Sequence, residues 1–142
     1  GWAGPPTDQL KGHVDLVLKV LGDPQLKPPA KAAERRAAIR MVAEGMFDFH
    51  EISQRTLGRH WKERSPAEHE EFTRLMAALL ENAYITQIET YSGERIAYVG
   101  EALDGDIATV RTRIVTKQGT AIPVDYRLMK QGERFGRAAG LG

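Results

Sequence analysis

The hydrophobic periodicity of the chain changes at Gly93, from the period of a helix to that of a strand. Before this residue, apolar side chains recur every three or four positions, which is typical of amphipathic helices. After it they alternate with polar side chains, as in strands with one buried face. Because the helices come first and the strands follow, the sequence predicts an α+β fold with N-terminal helices packed on one face of a curved antiparallel β-meander.

Short local signals mark the predicted helix boundaries. Thr7 is the expected N-cap of the first helix, which the run Gly22-Asp23-Pro24 ends. A second helix is expected from near Ala30. Asp48, with Glu51 three residues later, predicts the cap of a short third helix.

The strongest helix start lies at Ser65 to Glu68. A Ser N-cap is followed by Pro at the first helical position and Glu at the third, which is a capping box. The helical pattern then continues to Tyr91, long enough to back an entire sheet. We therefore expect this helix to turn the following side chains toward the inner side of the sheet: Phe72, Met76, Leu79 and Leu80.

Three strands are expected after Gly93, separated by the turn signals Asp104-Gly105-Asp106 and Gln118-Gly119. Even-numbered residues of the second and third strands should share the inner face. Pro123 cannot donate a backbone hydrogen bond, so the third strand should be edge-facing or bulged there.

Asp125, on the opposite face, should lie near Arg111 or Arg113. Residues 131–142 are rich in Gly and Ala and lack alternation, which predicts an irregular tail after one domain at residues 1–130.

Charge and composition exclude several classes of function. The net charge of +1 comes from interleaved acids and bases, without the basic stripe of a nucleic-acid-binding protein. The most basic run, Lys31 to Arg40, is expected to be a solvated helix face, with attraction to anionic headgroups as the alternative. With no cysteine, a disulfide scaffold and a Cys nucleophile are excluded.

No stretch of the sequence approaches the ~20 apolar residues that span a bilayer, so stable membrane insertion is not expected. Residues 1–6 lack the charged and apolar regions of a signal peptide.

No motif for catalysis or metal binding is complete. His50-Glu51 begins like a zinc-protease helix, but Gln54 stands where the second histidine ligand is required. His69 should lie in a solvent-facing first turn. We expect no catalytic residue, no metal and no cofactor; an acid–base enzyme remains the alternative, with Asp48 and Tyr126 as the inward candidates.

Five short motifs occur in an order and spacing that resemble the MlaC family, also called the toluene-tolerance or ABC-transporter auxiliary family. They extend from the N-terminal helices to the third strand. The motifs are Phe47-Asp48-Phe49, Leu57-Gly58-x-x-Trp61, Ser65-Pro66-x-x-His69-x-x-Phe72, Leu79-Leu80-x-x-x-Tyr84 and Ile122-Pro123-Val124-Asp125-Tyr126.

The resemblance implies a cone-like domain with a sheet-lined apolar pocket that holds phospholipid acyl chains in the periplasm. It implies transfer of lipid between an inner-membrane ABC transporter complex and an outer-membrane lipoprotein complex, which maintains outer-membrane lipid asymmetry and solvent tolerance. Phospholipid would be cargo, and a hopanoid or sterol is the alternative cargo. The family has a further strand rich in Trp, Val and Tyr after Gly132, so the tail here is either truncated or different.

The pocket that the resemblance implies would be lined by apolar side chains from the helices and from the inner face of the sheet, with small residues leaving room between large ones. The expected lining residues are Phe47, Trp61, Phe72, Met76, Leu79, Ala83, Tyr84, Val110, Thr112, Ile114, Val124, Tyr126 and Leu128.

Overall fold

The computed structural model describes residues 5–90, 93–131 and 134–141. Within these ranges an α-helical half precedes a β-sheet, as the sequence predicts. The helices are α1 (Pro5–Gly22), α2 (Ala32–Met46), α3 (Phe49–Leu57) and α4 (Pro66–Glu89), with 3-10 turns at Pro24–Leu26, Pro29–Lys31 and Gly58–Glu63. The strands are β1 (Arg95–Asp104), β2 (Ile107–Val115), β3 (Ala121–Gln131) and β4 (Arg134–Leu141).

The predicted caps of α3 and α4 are confirmed. At α4, Ser65 Oγ accepts a hydrogen bond from the Glu68 N–H at 3.1 Å, and the Ser65 N–H donates to Glu68 Oε1 at 2.9 Å. The hydrogen bond from the Ser65 backbone lowers the pKa of Glu68. At α3, Asp48 Oδ1 accepts from the Glu51 N–H at 3.0 Å, and Gly58 ends the helix with a φ of +54°.

The first helix begins earlier than its sequence predicts. Pro5 and Pro6 already lie in α1, because proline fits the first turn, where the missing N–H has no intrahelical role. The expectation that Thr7 is the N-cap is therefore wrong. Its N–H and its hydroxyl instead donate to Glu101 Oε1 of β1, at 3.1 and 2.6 Å, which places a carboxylate at the positive end of the helix dipole.

The four strands form an antiparallel meander in the order β1-β2-β3-β4. Val110 lies opposite Tyr126 and Thr112 opposite Val124, so even-numbered residues of β2 and β3 share one face, as expected. We call this side, which α1 and α2 cover, the inner face. A register shift between Tyr98 and Gly100 interrupts the pairing of β1 with β2.

Residues 134–141 form a strand, so the expectation of an irregular tail at residues 131–142 is wrong for this described part, while residues 132, 133 and 142 lie outside the described residues. Residues 134–141 pair with β3 as β4, because backbone hydrogen bonds build a ladder whatever the side-chain pattern. Small residues suit the crowded position of this strand: Ala138 and Ala139 are buried. At Gly140 an added Cβ would lie 2.8 Å from the guanidinium of Arg127.

Pro123 sits where β3 has only one described neighbour. It pairs with Arg113 of β2, whereas the described pairing of β3 with β4 begins at Tyr126. The expectation of an edge-facing segment is thus confirmed. Asp125 lies directly opposite Arg111, as expected from the alternation. The two side chains are not among the ion pairs of 4.0 Å or less in the described part of the chain.

The helix that lies on the sheet is α1, and the expectation that α4 backs the sheet is wrong. Leu10 and Val14 of α1 pack with Met46 of α2 against Val110 and Leu128. The main neighbours of α4 are α3 and α2. Because α1 already covers the inner face, the apolar side chains of α4 do not pack on the sheet. Leu79 is accordingly 63% exposed.

Replacing Ser65 by Ala should lower the free energy of unfolding by about 1 kcal/mol, because the N-terminal amides of α4 lose their side-chain acceptor. Urea denaturation of the variant and the parent measures this difference. Ser65→Thr keeps a hydroxyl cap and serves as the matched control. Equal denaturation midpoints for Ser65→Ala and the parent would show that the capping box does not contribute to stability.

Candidate functional site

The inner face is a continuous apolar surface beneath α1 and α2. Ala108 and Val110 are fully buried there, and Leu128 is nearly so. Phe47, at the junction of α2 and α3, closes one side with its ring centroid 6.5 Å from that of Tyr126. The alternation of β2 and β3 produces this surface, because every second side chain of both strands points to it.

The junction of α2 and α3 is attached to the sheet by its backbone. The Asp48 N–H donates to the Ala138 carbonyl of β4 at 2.9 Å, and Phe47 pairs with the same residue in a parallel bridge. Arg137 Nη2 lies 3.7 Å from Asp48 Oδ2. These contacts fix the position of the Phe47 ring over the inner face.

Few polar side chains interrupt the apolar surface, and two of them have clear partners. The Thr112 hydroxyl donates to the Val124 carbonyl at 2.8 Å, and Glu101 accepts the two hydrogen bonds from Thr7. Tyr98 differs, because its hydroxyl is buried and has no hydrogen-bond partner in the described part of the chain.

The environment of the two inner tyrosines suppresses ionisation. Burial raises the pKa of Tyr98 to about 12, and the nearby Asp15 carboxylate and Tyr126 phenol add to the effect. Burial likewise raises the pKa of Tyr126. Both phenols are therefore neutral hydrogen-bonding groups over the physiological pH range.

Seven of the predicted lining residues lie together on or beside the inner face, and α1 side chains cover part of the same surface. The sequence reasoning missed the covering residues, since it assigned this role to α4. The seven are Phe47, Val110, Thr112, Ile114, Val124, Tyr126 and Leu128.

Trp61 lies in a different cluster, between two histidines. Its ring stacks on that of His69, with centroids 3.7 Å apart and planes at 4°, and His50 meets it edge-on at 5.2 Å. His69 Nε2 is also 2.6 Å from the Trp61 carbonyl oxygen, so the expectation of a solvent-facing His69 is wrong. The stack brings together the tryptophan of the Leu-Gly-x-x-Trp motif and the histidine of the Ser-Pro-x-x-His motif.

The five predicted lining residues on α4 are not gathered on the inner face. Phe72 lines an open groove of about 250 Å³ together with Leu57 and Leu75. Leu79 and Tyr84 are exposed, Tyr84 by 48%. The remaining two are Met76, which is half-buried, and Ala83, which is exposed.

The basic run at the start of α2 is neutralised by acids. Arg35 and Arg36 both pair with Glu89 of α4, at 2.6 and 2.9 Å, and Arg40 pairs with Glu81 at 3.0 Å. Hydrogen bonding by Arg35 holds the pKa of Glu89 below its usual value. The run therefore joins two helices through its ion pairs. Lys31, Arg36 and Arg40 are exposed, as expected of a solvated helix face, whereas Arg35 is mostly covered.

The described residues contain neither a membrane-spanning helix nor a metal-binding cluster. None of the helices there is both long and apolar enough to cross a membrane. Across the same ranges, no group of three or more His, Asp or Glu side chains is arranged to hold a metal ion.

The raised pKa of Tyr98 predicts a loss of stability at high pH. Tyrosine in the unfolded chain loses its proton near pH 10.0, whereas folded Tyr98 keeps it until about 12. The free energy of unfolding should therefore fall as the pH rises through this window, and fall less steeply in Tyr98→Phe. Urea denaturation from about pH 9 to about pH 12 tests this. A constant difference between the two proteins across that range would contradict it.

Comparisons with known proteins identify the family. The MlaC protein family model matches residues 11–136. No curated protein sequence matches the chain. Among solved structures, a phospholipid-binding protein from Ralstonia solanacearum in complex with a phospholipid shares the fold, with a TM-score of 0.78 and 22% identity over 95% of this chain and 75% of that one. Since the matched segment spans nearly all the helices and strands described above, the chain belongs to the MlaC family.

Proposed function

We propose that this protein is a phospholipid carrier that holds acyl chains against the inner face of its sheet. The observation that carries the proposal is the continuous apolar surface formed by Val110, Leu128 and their neighbours beneath α1. The family assignment supports it, as does the Ralstonia protein of the same fold, which binds a phospholipid. The seven inner-face lining residues are the proposed acyl-chain contacts.

Transfer energetics explain why such a carrier is needed. Each methylene group buried from water contributes about 0.8 kcal/mol, so two long acyl chains cross an aqueous space very slowly without protection. An apolar surface inside the protein removes most of this barrier. Lipid transfer breaks no covalent bond, and the site needs no catalytic group.

The acyl chains would replace helix side chains at the sheet. Leu10 and Val14 now cover the inner face, and they offer the same apolar chemistry as a lipid tail. When a lipid tail replaces Leu10 and Val14, the apolar surface of the sheet stays out of contact with water both with and without lipid. We infer that α1 moves away from the sheet when lipid enters.

Family membership supports a proposal for the setting in which the carrier works. The carrier would work in the periplasm, taking and delivering phospholipid at an inner-membrane ABC transporter complex and an outer-membrane lipoprotein complex. This role would support outer-membrane lipid asymmetry and solvent tolerance. A hopanoid would use the same apolar surface, so extraction and identification of the bound lipid separates the two cargoes.

The two groups considered for an acid–base enzyme are poorly suited to proton transfer. Asp48 Oδ1 accepts the cap hydrogen bond of α3. Tyr126 has a pKa raised by burial, so its phenol does not exchange a proton readily near neutral pH. We therefore propose binding and transport, not catalysis.

Replacing Thr112 by Phe should reduce the phospholipid bound per folded molecule. Thr112 is only 2% exposed on the inner face, and a phenyl ring there takes the place of an acyl chain. Overpacking should also cost ~1–3 kcal/mol in the lipid-free protein, which is why the lipid is normalised to folded protein. Quantitative mass spectrometry of extracted lipid gives the ratio.

Ala83→Trp is the matched control, because Ala83 is exposed on α4 and its enlargement should leave the lipid ratio unchanged. If Thr112→Phe does not fold, Val124→Phe provides a second enlargement on the same face. An unchanged lipid ratio in the inner-face variants would place the bound lipid elsewhere.

A further inference from the structure

The Tyr98 hydroxyl is an unused hydrogen-bond donor beneath the helices. Only two buried side-chain polar atoms lack a partner in the described part of the chain, the Tyr98 hydroxyl and the Thr73 hydroxyl. Thr73 lies within α4, where rotation about χ1 brings a threonine hydroxyl to the carbonyl one turn earlier. The Tyr98 hydroxyl is fixed by its ring and has no comparable local acceptor.

The position of Tyr98 places this donor at the edge of the proposed acyl-chain surface. It pairs with Thr112 across β1 and β2, and its side chain packs against the inner-face core. The Thr112 hydroxyl already donates to the Val124 carbonyl. Tyr98 is therefore an inner-face group that can still satisfy a polar atom of a ligand.

The charges around the ring indicate which kind of acceptor fits. Lys11 Nζ lies 6.0 Å from the centroid of the Tyr98 ring, and the Asp15 carboxylate is close enough to disfavour further negative charge. With an ammonium and a carboxylate of opposite sign nearby, neither an anion nor a cation is clearly favoured at the hydroxyl. A neutral carbonyl oxygen accepts its hydrogen bond without bringing a further charge.

We propose that the Tyr98 hydroxyl donates a hydrogen bond to an ester carbonyl at the head of a bound acyl chain. The inference rests on the proposed carrier function and assigns the polar contact of that same site. A phospholipid carries its ester carbonyls between the apolar tails and the charged headgroup, where a buried donor meets them. The protein then selects ester-linked lipids over ether-linked lipids, which lack this carbonyl.

The test compares two phospholipids with the same headgroup and chain length, one diacyl and one dialkyl. Each is offered to the full-length protein in competition, and the bound fraction is determined by mass spectrometry. The parent should prefer the diacyl lipid by about 5- to 10-fold, the usual effect of one hydrogen bond. Tyr98→Phe should bind both lipids equally, whereas the exposed Tyr84→Phe should keep the preference of the parent.

The ratio separates a ligand contact from a structural role. A purely structural hydroxyl would change the stability of the lipid-free protein and leave the ester-to-ether ratio at its parental value. Equal binding of the two lipids by the parent, or a preference retained in Tyr98→Phe, overturns the inference while the carrier function stands. A parent that binds neither lipid overturns the proposed function and the inference with it.

Discussion

The packing of α1 and α2 on the inner face of the meander is the contact on which the rest of the structure depends. Leu10, Val14 and Met46 bury the apolar side of β2 and β3, and non-polar burial is the main favourable term in folding. The register of the sheet must be right for this contact to form, since a slip of one residue would turn Val110 to the opposite face. Two polar links hold the helices over this surface. The hydrogen bonds from Thr7 to Glu101 hold α1, and the backbone hydrogen bond from Asp48 to β4 holds the end of α2.

The contacts of α4 differ in kind from those of α1. Ion pairs from Arg35, Arg36 and Arg40 connect α2 to Glu81 and Glu89 of α4. Ion pairs at exposed side chains contribute little to stability, and salt weakens them further. In contrast, Leu10 and Val14 of α1 meet the sheet through apolar contacts, and the hydrogen bonds from Thr7 to Glu101 add a polar link at the start of the helix.

The features that local chemistry determines could be predicted from the sequence. The Ser65 capping box, the Asp48 cap and the alternation of β2 and β3 each depend on a few adjacent residues. The helix that covers the sheet could not be predicted, because α1 and α4 both carry apolar stripes and periodicity does not say which surface meets which. The strand β4 was not predicted, because its Gly- and Ala-rich sequence lacks the alternation of a strand. Its pairing with β3 depends on backbone hydrogen bonds.

The same limit applies to the candidate site. The sheet residues were placed correctly by alternation, whereas Trp61 belongs to a stack with His69 that only tertiary structure brings together. The central claim is that the inner face binds phospholipid, and native mass spectrometry of the purified protein tests it most directly. We predict a second species, heavier by the mass of a phospholipid, that appears on purification or after incubation with phospholipid vesicles. A protein that remains at its own mass after such incubation would contradict it.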